Sequence, residues 1–188
     1  MRFRFFVLST IIWAITTPSS SQTIRDYAMR GDVAGITAAL DQGTDVNDYN
    51  GLDTPLTEAV KKGHFAAAAL LIERGADVNT PTRYYGEPIM LAALQSRADL
   101  MKLLLTHGAI ADSVLNGEPV LHVAAAMGCL NCVKLLVEAG ADVNWEQKDR
   151  FIRSALGIAT FYGYNDIAAY LKAHGASRAI WVDQFSKP

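Results

Sequence analysis

The stretch Gly117–Asn144, GEPVLHVAAAMGCLNCVKLLVEAGADVN, sets the pattern of the chain. It predicts two short helical runs rich in apolar residues, each closed by a glycine. The first, Leu121 to Met127, ends at Gly128; the second, from about Asn131 to Ala139, ends at Gly140. Glycine just past a helix end takes the left-handed conformation at little steric cost and lets the last carbonyls be capped. Helices this short are not stable alone, so each needs a neighbour. The chain supplies neighbours by repetition. The first closing position recurs as Gly31, Gly63, Ser96, Gly128 and Gly163, at spacings of 32, 33, 32 and 35 residues. The second recurs as Gly43, Gly75, Gly108, Gly140 and Gly175 at the same spacings. Two markers with one period near 33, and two helices per unit, predict a solenoid.

The segments after the second glycine repeat too: Thr44-Asp45-Val46-Asn47, Ala76-Asp77-Val78-Asn79 and Ala141-Asp142-Val143-Asn144. Thr54-Pro55-Leu56-Thr57-Glu58-Ala59 opens one unit and Leu121-His122-Val123-Ala124-Ala125 another. On these residues the unit resembles the ankyrin repeat, whose pattern is G-x-T-P-L-H-x-A-A-x-x-G, a second helix, then G-A-D-V-N. The resemblance implies an all-α ankyrin-repeat solenoid of about five helix-turn-helix repeats joined by β-hairpin loops. The units run about 23–47, 48–79, 80–112, 113–144 and 145–177, within a domain of residues 22–177. It does not imply one activity, because the fold is a binding scaffold reused for unrelated partners.

Each unit has its own character. Unit one, with helices near Ile24–Arg30 and Val33–Asp41, is expected to be the amino-terminal cap, with Arg25, Asp26, Arg30 and Asp32 on a solvated outer face. Unit two places Thr54 to cap its first helix and Pro55 at the first helical position. Unit three is the least regular. Tyr85 stands at the usual turn glycine, Ser96 at the helix-closing glycine, and Ala109-Ile110-Ala111-Asp112 replaces Ala-Asp-Val-Asn. Such departures mark either a functional site or drift in a middle repeat. Unit five enters through a longer loop, Trp145–Arg153. Residues 178–188, with Trp181 and Phe185, fit either a carboxyl cap or a free partner-binding peptide.

Residues 1–21 change the picture of where the chain works. Arg2 and Arg4 precede an apolar run from Phe5 to Ile15, and small residues follow at Thr16–Ser21. That is the layout of a secretory signal peptide, and the run is about half the length needed to span a bilayer. The expected address is periplasmic or secreted, and the chain then resembles the exported ankyrin proteins of Gram-negative bacteria. Net charge is −2, and loss of Arg2 and Arg4 leaves −4 with no basic stripe, which argues against nucleic acid.

Candidate chemistry is sparse. His64, His107, His122 and His174 each fall on a structural position of the repeat and do not cluster at metal-ligand spacing. The sequence offers no phosphate loop, nucleophile elbow or paired acidic motif, so no catalytic residue, metal or cofactor is expected. Cys129-Leu130-Asn131-Cys132 opens the second helix of unit four. In an oxidising compartment these two cysteines fit a disulfide or two free thiols equally.

The family's binding surface is concave, built from hairpin tips and exposed positions of the first helices. Counting from the helix-closing residues places Asn50, Asp53, Lys61 and Lys62 there in unit two, and Arg83, Tyr84, Leu94 and Gln95 in unit three. Unit four adds Leu115, Asn116, Glu118, Ala126 and Met127. Unit five adds Trp145, Arg150, Phe151, Arg153, Phe161 and Tyr162. Aromatic and arginine residues dominate protein interfaces, and the repeat gives no packing reason for them here; the alternative is that the tail and the long hairpin cover them internally. The expected function is protein binding, most concretely as an inhibitor or immunity protein that occludes a toxin or effector enzyme. That reading leans on resemblance to ankyrin-type immunity proteins found beside secreted antibacterial lipases. The alternative is a periplasmic accessory protein supporting oxidative-stress defence.

Overall fold

A computed structural model describes residues 22–145 and 154–177. The signal-peptide expectation (1–21), residues 146–153 of the unit-five entry loop and the tail (178–188) lie outside the described residues. Five helix pairs follow in order: α1 (Ile24–Arg30) and α2 (Val33–Asp41), α3 (Pro55–Lys62) and α4 (Phe65–Glu73), α5 (Pro88–Leu94) and α6 (Ala98–Thr106), α7 (Val120–Ala126) and α8 (Leu130–Glu138), α9 (Ala155–Phe161) and α10 (Asn165–Ala173). The first helices, α1, α3, α5, α7 and α9, pack in one row, and the second helices pack behind them in another. In unit four both helices begin and end one residue earlier than the apolar pattern predicts, at Val120–Ala126 and Leu130–Glu138.

Helix starts follow local chemistry. Thr23 and Thr54 build capping boxes, with Asp26 and Thr57 respectively returning the bond to the cap N–H. Pro55 and Pro88 occupy first-turn positions where an N–H would be orphaned. The core is a continuous file of Ile, Leu, Ala and Met between the two rows; Ile24, Leu56, Ile89, Leu121 and Leu156 recur at one position of the repeat and are buried. Ala67 and Ala68 are fully buried, where their small side chains let α4 approach its neighbours α2 and α6.

The loops are joined unit to unit by one recurring device. Asn79 donates from Nδ2 to the carbonyl of Gly108 (3.0 Å) and accepts from Ile110 N–H (3.1 Å). Asn47 does the same to Gly75 and Asp77, and Asn144 to Gly175 and Ser177. In unit three the position is Asp112, which accepts from Asp142 N–H (2.9 Å) but has no donor for the carbonyl.

Hairpin pairing is confined, among the described residues, to β1 (Val114–Leu115) with β2 (Glu118–Pro119) and a single bridge between Thr82 and Gly86. The solvated-face expectation for unit one needs correction at Arg25 alone, since Asp26 and Asp32 make their cap bonds at the exposed surface. Arg25 reaches across to Asp48, pairing with its carboxylate and donating to its carbonyl. Arg30 remains exposed.

Candidate binding groove

The groove forms where α5, α7 and α9 line up beside the β1–β2 hairpin. It encloses about 660 Å³ and is lined by Leu94, Leu115, Asn116, Glu118, His122, Val123, Ala126, Met127, Ile158, Phe161 and Tyr162. Leu94, Met127, Phe161 and Tyr162 sit at the last turns of the first helices. Their side chains are left in solvent. Met127 is 46%, Phe161 53% and Tyr162 55% exposed. Phe161 and Tyr162 meet edge to face at 5.1 Å, and Tyr162 stacks on Tyr164 at 6.0 Å. These contacts hold the rings as a wall, which lowers the entropy lost on contact with a partner.

His122 and Glu118 supply polarity at the floor. His122 is buried, donates from Nε2 to the carbonyl of Trp145 (3.3 Å) and has Nδ1 3.3 Å from Glu118 Oε1. Its ring also meets Trp145 edge-on at 5.6 Å. His122 thus ties the unit-four helix to the start of unit five, as the repeat pattern anticipates.

Of the residues expected on the surface, Leu94, Leu115, Asn116, Glu118, Ala126, Met127, Phe161 and Tyr162 meet in this one groove. Trp145 is half-buried and packs on His122. Arg83 and Tyr84 stack on each other at 5.8 Å at the unit-three tip, away from the groove lining. Gln95 is exposed and donates to the Lys61 carbonyl (2.8 Å). Arg150, Phe151 and Arg153 lie outside the described residues. Val123 and Ile158 also line the groove and were not singled out in the sequence. Their signal was available, since each lies five residues before the helix-closing glycine of its own unit.

Unit two carries a separate charged cluster. Lys61 Nζ lies 3.2 Å from Asp53 Oδ2 and 3.8 Å from Glu58 Oε1. Burial raises the Glu58 carboxyl above its ordinary range, against the charge of Lys61 and with help from Asp53. For Lys61, burial works downward, but the bond to Asp53 and the charge of Glu58 outweigh it and the ammonium is held above its usual value.

The two cysteines are joined as a disulfide at the start of α8, and Cys129 Sγ also accepts from Cys132 N–H at 3.2 Å. His107 and His174 donate from Nδ1 to carbonyls of their own last helical turns, Leu103 and Tyr170, both at 2.8 Å. Among the described residues no three His, Cys, Asp or Glu side chains come together as metal ligands.

Comparison with known proteins matches two family models described as ankyrin repeats, one in three copies over residues 82–147 and one in many copies over residues 56–105. Cyclin-dependent kinase 4 inhibitor B of Rattus norvegicus is 36% identical over 126 residues, covering 65% of this chain and 94% of that protein. The B-cell lymphoma 3 protein homolog of Mus musculus is 34% identical over 67% of this chain and 26% of its own length. An ankyrin repeat and KH domain-containing protein of Caenorhabditis briggsae is 34% identical over 148 residues, 77% of this chain but 5% of its own length. The chain therefore spans a small part of the two longer relatives and nearly the whole of the inhibitor.

Proposed function

The chain belongs to the ankyrin-repeat family of protein-binding modules, and from that premise we propose that it is a non-catalytic inhibitor or immunity protein that works outside the cytoplasm. It occludes a toxin or effector enzyme by seating part of it in the groove of α5, α7 and α9.

The observation that carries this reading is the groove itself. Four large apolar side chains, Leu94, Met127, Phe161 and Tyr162, are held in solvent where a satisfied monomer has no use for them. Occlusion is supported by the relative matched almost end to end, which is named as an inhibitor. Export is supported by the charged-then-apolar start of the sequence and by the Cys129–Cys132 disulfide, a bond that persists in oxidising compartments.

The test is a protection assay. Full-length chain is expressed in a Gram-negative host, its location is followed by fractionation, and the cells are challenged with envelope-targeted lipases. The expected result is protein in the periplasm and survival that is lost in Met127→Ala/Tyr162→Ala. Retention in the cytoplasm, or equal survival with the variant, overturns the proposal.

A further inference from the structure

The residue just before each helix-closing position forms one row along the solenoid: Arg30, Lys62, Gln95, Met127 and Tyr162. The residue before that forms a parallel row: Met29, Lys61, Leu94, Ala126 and Phe161. These residues sit at the last turns of the first helices, the same edge that lines the groove. Read from the amino end, the first row passes from two cations through an amide to a thioether and a phenol. Every member of it is exposed.

The cations at the start of the row sense a carboxylate of their own helix, Asp26 for Arg30 and Glu58 for Lys62, but neither is held in an ion pair among the described residues. Lys61 is committed to Asp53 and Glu58. Arg30 and Lys62, by contrast, have no carboxylate within ion-pair distance among the described residues. Arg30 rests its guanidinium over the Tyr27 ring, 5.7 Å from the centroid, and stays exposed there. At the other end, among the described residues, the groove lining contains no lysine or arginine and carries the carboxylate of Glu118.

We infer that this polarity selects the partner segment and its direction: a protein segment with carboxylates at one end, which meet Arg30 and Lys62, and a large apolar side chain at the other, which enters the groove beside Met127 and Tyr162. The inference rests on the groove being the working surface and adds the chemistry of what occupies it. Complementary charge at one end of an apolar site fixes register and speeds encounter, while the apolar anchor supplies the slow dissociation. A segment bound in the opposite direction would leave its carboxylates over apolar surface and the two cations unanswered.

The test uses phage-displayed random 16-residue peptides selected on the full-length chain. Winning sequences are then measured against Arg30→Glu/Lys62→Glu and against Met127→Ala/Tyr162→Ala. All four positions are exposed, so both variants should fold, which circular dichroism checks. The expected peptides pair an acidic cluster with a Leu, Phe or Trp at a fixed separation. They should lose about tenfold or more in affinity to each variant. The loss from charge reversal should shrink as salt rises, because exposed charges are screened. Peptides without acidic enrichment, or equal binding to the charge-reversed variant, overturn the polarity inference and leave the groove reading standing. Equal binding to Met127→Ala/Tyr162→Ala overturns both. A concentration-dependent dimer of the wild type, abolished in that variant, assigns the surface to a second copy of the chain and also overturns the inference.

Discussion

Ser96 and Cys129 hold, by register, the two positions that at three other junctions carry a glycine and a bulky residue packed on it. At three other junctions a bulky residue opening the second helix lies against the helix-closing glycine of the unit before: His64 against Gly31, Arg97 against Gly63, Tyr164 against Gly128. A Cβ on Gly31 or Gly128 would come within 2.7 Å of the His64 ring or 2.8 Å of the Tyr164 ring. Ser96 has a Cβ and holds φ at 54°. The residue in register with His64, Arg97 and Tyr164 is there the small Cys129, turned inward to its disulfide. The two departures in the sequence, one in unit three and one in unit four, are therefore one feature.

This pairing predicts an asymmetric result. Gly128→Ser should destabilise by about 2–3 kcal/mol, since it combines a left-handed backbone with overpacking. Tyr164→Ala should recover about 1 kcal/mol or more of that loss in the double variant. Denaturant unfolding of the four proteins measures the coupling; additive losses would mean that the ring and the glycine do not depend on each other.

The asparagine links predict a gain in unit three. Asp112→Asn restores the donor that Asn47, Asn79 and Asn144 each aim at a glycine carbonyl. It should stabilise by about 0.5–1 kcal/mol, and Asn79→Asp should cost about as much. Thermal melts of both variants check the pair of signs.

Glu58 predicts a pH dependence. Its folded-state carboxyl titrates above the unfolded value, mainly through burial. The folded form therefore holds the proton more tightly, and this contribution to stability is present at low pH and is lost as pH rises above the ordinary carboxylate range. Glu58→Gln should flatten that part of the stability profile and be the more stable protein at neutral pH. A slope unchanged between pH 4 and 7 would refute the assignment.

Core and groove should separate cleanly on truncation. Leu121 is 2% exposed and Met127 46%. Leu121→Ala should cost about 2–5 kcal/mol, whereas Met127→Ala and Tyr162→Ala should stay within about 0.5 kcal/mol of wild type. Equal destabilisation by the groove variants would make those residues core and remove the binding surface.

Much of the molecule was legible before any coordinates. Short-range chemistry wrote the helix ends directly: capping threonines, first-turn prolines and closing glycines act within a few residues, so Ile24–Arg30, Val33–Asp41 and Pro55–Lys62 fall where the pattern puts them. The period then determined that units stack, because neither helix of a unit is stable alone. It also named most of the groove, since exposed positions keep a constant offset from the closing glycine. Tertiary structure decided what depends on residues about one repeat apart. It brought Leu94, Met127 and Tyr162 to one groove while leaving Arg83 and Tyr84 at a separate tip. It spent Arg25 on Asp48, put His122 between Glu118 and the Trp145 carbonyl, and laid the Tyr164 ring on Gly128. Local pattern carries backbone preference and burial, which each residue expresses alone; pairing is a property of two surfaces meeting, and only their packing determines it.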